Sequence, residues 1–192
     1  MIELTADPKQ AAILNSAFQA FANYGFRKTS MDDIAKGAGM SRPAVYLHYK
    51  NKEAIVRELT QHYYTQKVAD VAVALKGSGS VSEILKKAIR AQTEGIATVL
   101  ASPHGVEMLD ATKSMSTDIV ENGEAELARL YAAWLAKEDA AGRVRLFGGP
   151  DEIATTITRS LKGLKLTATH GDDYENRVSR LADLIGAGLQ VR

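Results

Sequence analysis

The stretch that decides the fold spans Tyr24 to Leu59 and reads YGFRKTSMDDIAKGAGMSRPAVYLHYKNKEAIVREL. It holds two short segments with helical spacing of apolar residues, and the turn Gly37-Ala38-Gly39 separates them. Ser30 begins a capping-box pattern, which predicts the start of the first short helix. Ser41 predicts the N-cap of the second, and Pro43 suits its first turn. The stretch therefore predicts a helix-turn-helix.

A longer helix precedes these two. Asp7 can cap it, Pro8 suits its first position, and Gly25 predicts its end. Its apolar face consists of Ile13, Leu14, Ala17, Phe18, Phe21 and Tyr24. We expect this face, with its three aromatic residues, to lie in the core and to brace the two short helices.

The second short helix has the features of one that enters the major groove of DNA. Val45 and Tyr49 are spaced to point towards the core. Five other residues can face outward, namely Ser41, Arg42, Ala44, Tyr46 and His48. We expect Arg42 to be the main base reader, because its forked guanidinium can form a bidentate contact with guanine. The alternatives to DNA contact stay open: Arg42 can be a plain solvated charge, Tyr46 can be partly buried in the core, and His48 can have a purely structural role.

The helix ends around this motif offer places for DNA phosphates. Thr29 and Ser30 open the first short helix, where backbone N–H groups and the helix dipole favour an anion. Lys52 opens the next helix and can hold another phosphate, or it can be a plain solvated charge. Between Pro8 and Arg57 there are eight cations and three anions, an excess that permits phosphate contact.

Composition excludes several other classes of protein. The chain has 192 residues and a net charge of +1, and it has no cysteine, so disulfides and thiolate metal sites are excluded. The four histidines are scattered, and no nucleophile motif or phosphate-cradling loop is present, so we expect no metal, no cofactor and no enzyme activity. No signal-peptide pattern or membrane-length apolar run is found, so we expect a cytoplasmic protein.

Helical periodicity continues to the end of the chain, which predicts an all-α protein. We expect a helix from about Lys52 to Lys76 and another after the capping box that begins at Ser80. Later helices are expected at 106–111, 116–139, 150–169 and 172–189. The predicted division is a DNA-binding domain at 1–51 and a second, helical domain at 52–192.

The stretch from Tyr24 to Leu59 resembles the DNA-binding domain of the TetR (TetR/AcrR) family of transcriptional regulators. The matching features are Gly25-Phe26, Thr29-Ser30, Ile34-Ala35, Gly39, Ser41, Val45-Tyr46, His48-Tyr49 and Lys52-Glu53. Tyr49 stands where many members have Phe, a change that keeps the packing. The resemblance implies that the residues contacting DNA include Thr29, Ser41, Arg42, Tyr46, His48 and Lys52.

If the family pattern holds, a small-molecule effector binds in the middle of the chain. Such sites are mostly apolar with a few polar groups. The candidates are Tyr63, Gln92, Thr93, Ile96, Met108, Tyr131 and Trp134. Gln92 and Thr93 are the best polar candidates, because they interrupt an apolar stripe. Ordinary core packing is the alternative for each of these residues.

The last two helices are expected to form a homodimer interface. Their apolar stripes are Ile153, Ile157, Leu161 and Leu164, then Val178, Leu181, Ile185 and Leu189. Gly163, Gly186 and Gly188 would allow close helix approach, whereas both stripes could instead be buried within one subunit. A dimer would place two reading helices on a pseudo-palindromic operator. The resemblance implies a repressor that an effector releases; the alternative is a protein of the same fold that binds lipid or controls division without regulating genes.

Overall fold

The computed structural model describes residues 7–168 and 170–190, and this part of the chain forms ten α-helices without a strand. The helices are α1 (Pro8–Tyr24), α2 (Met31–Gly37), α3 (Arg42–His48), α4 (Lys52–Leu75), α5 (Val81–Thr93), α6 (Ile96–Ala101), α7 (Gly105–Met115), α8 (Thr117–Ala140), α9 (Pro150–Thr167) and α10 (Gly171–Gly188). The all-α prediction is confirmed.

The predicted ends of the first helices are also confirmed. The Asp7 carboxylate accepts a hydrogen bond from the Lys9 amide at 2.9 Å, and α1 ends before Gly25, whose φ is +85°. Ser30 and Ser41 each accept a hydrogen bond from the amide three residues later. These caps satisfy N–H groups that have no partner inside the helix, which is why the helices begin at these positions.

The packing divides the chain into two compact units. Unit 1 comprises the described part of Met1–Tyr64 together with Val99–Val120, and unit 2 comprises Thr65–Thr98 with the described part of Glu121–Arg192. Unit 1 therefore contains a segment far from the helix-turn-helix in sequence. The predicted division at residues 51 and 52 concerns the roles of the two parts, and it stays a prediction.

The core of unit 1 joins α1, α2, α3 and the start of α4. Its most deeply buried residues include Ile13, Leu14, Phe21, Ile34, Val45 and Ile55. Met108, Ala111 and Met115 of α7 pack against this cluster, which explains why Val99–Val120 belongs to unit 1.

One core prediction for α1 is wrong. Phe21 is 1% exposed and Phe18 is half-buried, but Tyr24 is 64% exposed. Tyr24 is the last residue of α1, and the chain turns away at Gly25, so its ring projects into solvent. Helical spacing gives the face of a residue but not the point along the helix where packing stops.

Unit 2 is built on the pairing of α5 with α10. A Cβ at Gly186 would lie 2.5 Å from Ser82 Oγ, so the missing side chain permits this approach. Lys86 of α5 and Asp183 of α10 form an ion pair at 2.6 Å. No helix in the described ranges is both long and apolar enough to cross a membrane.

Candidate nucleic-acid interface

The turn between α2 and α3 sets the position of the third helix. Gly39 has a φ of +66°, a left-handed conformation that glycine adopts without steric cost. The Gly39 amide donates to the Lys36 carbonyl at 3.1 Å, and the Met40 amide donates to the Ala35 carbonyl at 2.9 Å. These bonds satisfy carbonyls at the end of α2 and turn the chain sharply into α3.

Two buried side chains hold α3 against the core, as predicted. Val45 is fully buried and Tyr49, which follows the helix, is 7% exposed. Burial raises the pKa of Tyr49 to about 12, which keeps its phenol neutral. The opposite face of α3 is thereby presented to solvent.

Arg42 and Tyr46 form a pair on this outer face. The Arg42 Nη2 atom donates to the Tyr46 hydroxyl at 3.3 Å, and the guanidinium carbon lies 5.5 Å from the ring centroid. Both residues are exposed, and the exposed fraction of Tyr46 is 41%. The contact holds the long, flexible Arg42 side chain against a residue one turn further along α3. Less side-chain entropy is therefore lost when Arg42 binds a ligand.

Leu47 and Lys50 are candidate contacts that the sequence reasoning missed. Leu47 is 87% exposed, although a leucine side chain gains free energy from burial, and Lys50 is exposed directly after α3. Helical spacing contained this signal, because Val45 and Tyr49 point inward and leave Tyr46 and Leu47 on the other side. Ser41 is exposed and caps α3, while Ala44 is half-buried.

His48 occupies an intermediate position at the end of α3. It is half-buried, and its Nδ1 atom lies 3.9 Å from a carboxylate oxygen of Asp7, the residue that caps α1. This contact links the end of α3 to the start of α1. The predicted phosphate contact of His48 stays a prediction.

Thr29 and Lys52 make contacts inside the protein. Thr29 is 3% exposed, and its hydroxyl donates to the carbonyls of Gly25 at 2.8 Å and Ala20 at 3.2 Å. The Lys52 ammonium donates to the carbonyls of Phe26 and Thr29, both at 2.6 Å, and lies 4.4 Å from the Phe26 ring centroid. The two residues therefore fix the loop between α1 and α2.

An acidic side chain occupies the start of α2. Asp33 accepts from the Ser30 amide at 2.9 Å and from the Ser30 hydroxyl at 2.6 Å. These bonds hold the pKa of Asp33 below its ordinary value, so the group is a carboxylate at neutral pH. A phosphate approaching the amides of Thr29 and Ser30 would meet this negative charge. The Asp33 carboxylate thus lies at the helix end where the sequence predicts a phosphate.

Helix α7 holds the same loop from the other side. The His104 amide donates to the Ala22 carbonyl at 3.0 Å, and the Arg27 amide donates to Glu107 Oε1 at 3.3 Å. The other Glu107 oxygen lies 3.1 Å from His104 Nδ1. The Arg27 amide and His104 lower the pKa of Glu107. Residues 80 positions apart thus meet at the base of the helix-turn-helix.

The candidate effector residues fall into both units. Tyr63 and Met108 belong to unit 1, where Met108 lines a small apolar cleft with Phe21 and Phe26. The members in unit 2 are Gln92, Thr93, Ile96, Tyr131 and Trp134. The Thr93 hydroxyl donates to the Ile89 carbonyl at 2.9 Å within α5, and Gln92 is half-buried.

The fold and site define a class of protein: a helical chain with an N-terminal helix-turn-helix whose third helix exposes its outer face. The sequence model of the bacterial regulatory proteins of the tetR family matches residues 13–59, the helix-turn-helix and the start of α4. This part of the chain is therefore similar to the DNA-binding region of that family.

Relatives that match part or most of the chain agree with this similarity. The chain is 35% identical over 89 residues to the uncharacterized HTH-type transcriptional regulator YerO of Bacillus subtilis, covering 45% of this chain and 30% of that protein. It is 28% identical over 177 residues to the HTH-type transcriptional repressor Rv1474c of Mycobacterium tuberculosis, covering 92% and 90%. The fold matches the fatty acid degradation regulator FadR of Bacillus halodurans with a TM-score of 0.73 and 20% identity, covering 98% and 100%.

Proposed function

We propose that this chain is a DNA-binding transcriptional regulator that reads operator DNA with α3. The outer face of α3 carries the proposal. Buried Val45 and Tyr49 anchor the helix, while Arg42, Tyr46 and Leu47 stand in solvent. A short exposed helix of this kind fits the width of the major groove. Such a regulator acts in the cytoplasm, where bacterial DNA lies.

The side chains on this face divide into two roles. Arg42 reads a base, Tyr46 and Leu47 contact thymine methyl groups, and Ala44 allows close approach. Ser41 and Lys50, at the two ends of α3, contact phosphates and fix its register, and His48 has the same role. Thr29 and Lys52 act mainly by holding the preceding loop, since their polar groups already bond to its carbonyls.

The regulator acts as a homodimer through the outer faces of α9 and α10. Parts of the predicted stripes are buried within the chain: Ile157, Leu161, Val178 and Leu189. Leu166 and Leu184 remain 54% and 72% exposed, and a Cβ at Gly163 or Gly188 would meet no atom within 4 Å. These surfaces are available to a second copy, which would place two α3 helices on a pseudo-palindromic operator.

The protein has one state that binds DNA and another that does not. An effector controls the protein because its affinities for these two states differ. Its site lies in the helical body and includes Gln92, Thr93, Ile96, Tyr131 and Trp134. We assign the protein as a repressor that the effector releases from DNA. This mode of control requires only that effector binding change the distance between the two α3 helices, so that they no longer fit the two half-sites. Rv1474c, similar over most of its length, carries the name of a repressor.

Selection of bound sequences from random DNA duplexes tests the proposal. We expect enrichment of an inverted repeat, with affinity that falls steeply with salt because Lys and Arg displace counterions from phosphates. An unchanged pool, or binding that does not depend on salt, would favour a protein of the same fold without a regulatory role. Light scattering of the protein in solution tests the dimer separately.

A further inference from the structure

Two polar groups on one face of α8 are buried without a hydrogen-bond partner among the described residues. Tyr131 is fully buried and Trp134 is 5% exposed. Neither the Tyr131 hydroxyl nor the Trp134 Nε1 atom has a hydrogen-bond partner within residues 7–168 and 170–190. The two residues are three positions apart, so they occupy the same side of the helix one turn from each other.

This pair is costly for the protein by itself. A buried donor that lacks an acceptor costs free energy, because it has given up its bond to water. Native proteins satisfy most such groups, and the exceptions call for an explanation. Burial raises the pKa of Tyr131 above its ordinary value, so the phenol keeps its proton and can donate. Trp134 can only donate.

We propose that Tyr131 and Trp134 bind the neutral carbonyl oxygen of an apolar effector, such as an ester, lactone, amide or ketone. The inference rests on the proposed effector site and names the class of molecule that it takes. A carbonyl oxygen has two lone pairs and can accept from both donors at once. Insertion of such a group would relieve two unmet hydrogen-bonding requirements in one step.

The charges along α8 favour a neutral ligand over an anion. The buried face that carries the two donors also carries Leu127, Leu135 and Glu138. The described residues of this buried face include no Lys or Arg. Its one ionised group, the Glu138 carboxylate, is held by Arg143 at 2.5 and 2.9 Å. A carboxylate ligand would lose its hydration here and would find no unpaired cation on this face among the described residues.

Trp134 is the only tryptophan in the chain, so its fluorescence reports directly on this site. The full-length protein is titrated at neutral pH with methyl decanoate, decanoate and decane, which share a carbon chain and differ in the polar group. We expect methyl decanoate to shift the emission of Trp134 and to bind more tightly than the other two. No response to the ester, or equally tight binding of decanoate, would overturn the proposal.

Tyr131→Phe removes only the hydroxyl oxygen. We expect the variant to bind methyl decanoate about 2- to 10-fold more weakly, the effect of one neutral hydrogen bond. We also expect it to melt at the same or a higher temperature without ligand, because no bond within the protein is lost. A lower melting temperature would mean that the hydroxyl already has an internal partner, such as a bound water, and would contradict the proposal.

Tyr174→Phe is the matched control, since Tyr174 is 2% exposed in the same unit but lies on α10. Its affinity for the ester should be unchanged, and an equal loss in both variants would indicate a general change of the core. Operator binding of Tyr131→Phe without ligand is measured in parallel. Loss of DNA binding by the wild-type protein would refute the proposed function, whereas the fluorescence titration judges the carbonyl site alone.

Discussion

Arg57 of α4 holds Asp118, near the start of α8, through two parallel hydrogen bonds of 2.8 and 2.7 Å. The same guanidinium donates to the Met115 carbonyl at 2.9 Å. A planar fork is suited to a carboxylate, so this geometry favours one orientation of the two helices within unit 1. The bond fixes residues 99–120 against the part of the chain that carries the helix-turn-helix.

The pair predicts a specific dependence of stability on pH. Arg57 lowers the pKa of Asp118 from its ordinary value of 3.8 to about 2. The stabilisation by this ion pair is therefore present when the pH is above the ordinary pKa of Asp118, and it is lost as the pH falls towards 2. We expect Asp118→Asn to lower the melting temperature at neutral pH and to flatten its decline between pH 4 and 2. Glu126→Gln, which breaks an exposed pair with Arg129 in one helix, is the control and should have a smaller effect.

Arg42→Ala should weaken DNA binding about 5- to 150-fold and relax the preference for one base, because a bidentate contact with guanine is lost. The salt dependence should change little if the contact is to a base. Binding is titrated on the selected operator and on a series of operators in which one base pair at a time is changed. Arg129→Ala, an exposed arginine of α8, should bind as the wild type does. Equal binding by both variants would reject the role of Arg42.

Leu47→Ala separates the interface from the fold. The side chain is 87% exposed, so the free energy of unfolding should change by no more than about 0.5 kcal/mol. DNA affinity should fall about 4-fold for each methylene-sized group no longer buried against DNA. Val73→Ala, on the 72% exposed Val73 of α4, should alter neither quantity. Full operator affinity in the Leu47 variant would place that side chain outside the interface.

Lys52→Met tests whether this lysine holds the loop or a phosphate. Two carbonyls lose a charged donor, so we expect the free energy of unfolding to fall by about 1–2 kcal/mol. The slope of log affinity against log salt should remain close to that of the wild type, because the ammonium is engaged inside the protein. A slope smaller by about 1 would show a phosphate contact instead. Lys50→Met, at the exposed neighbouring lysine, is expected to give that smaller slope.

Gly25→Ala should destabilise the protein by about 1–3 kcal/mol, since its φ is +85° and a side chain there is strained. A Cβ would also lie 2.7 Å from Glu107 Oε2 and 3.0 Å from His104 Nδ1. Gly142→Ala is the control, because Gly142 has a φ of +66° with no atom within 4 Å of the added carbon. Chemical denaturation should show the larger loss for Gly25. Equal losses of stability in the two variants would indicate that the side chains of α7 move away from the added carbon at little cost.

The sequence by itself determined the helix-turn-helix, its caps at Asp7, Ser30 and Ser41, and the inward direction of Val45 and Tyr49. These features depend on residues within one or two helical turns, so the pattern along the chain contains them. The exposure of Arg42 and Tyr46 followed from the same spacing.

Only the tertiary structure decided which partner each polar group takes. It buried Thr29, directed Lys52 to two carbonyls and joined Glu107 to the Arg27 amide across 80 positions of sequence. It also left Tyr24 in solvent. A side chain's partner depends on which distant surface packs beside it, and helical periodicity specifies the face of a residue without specifying that neighbour.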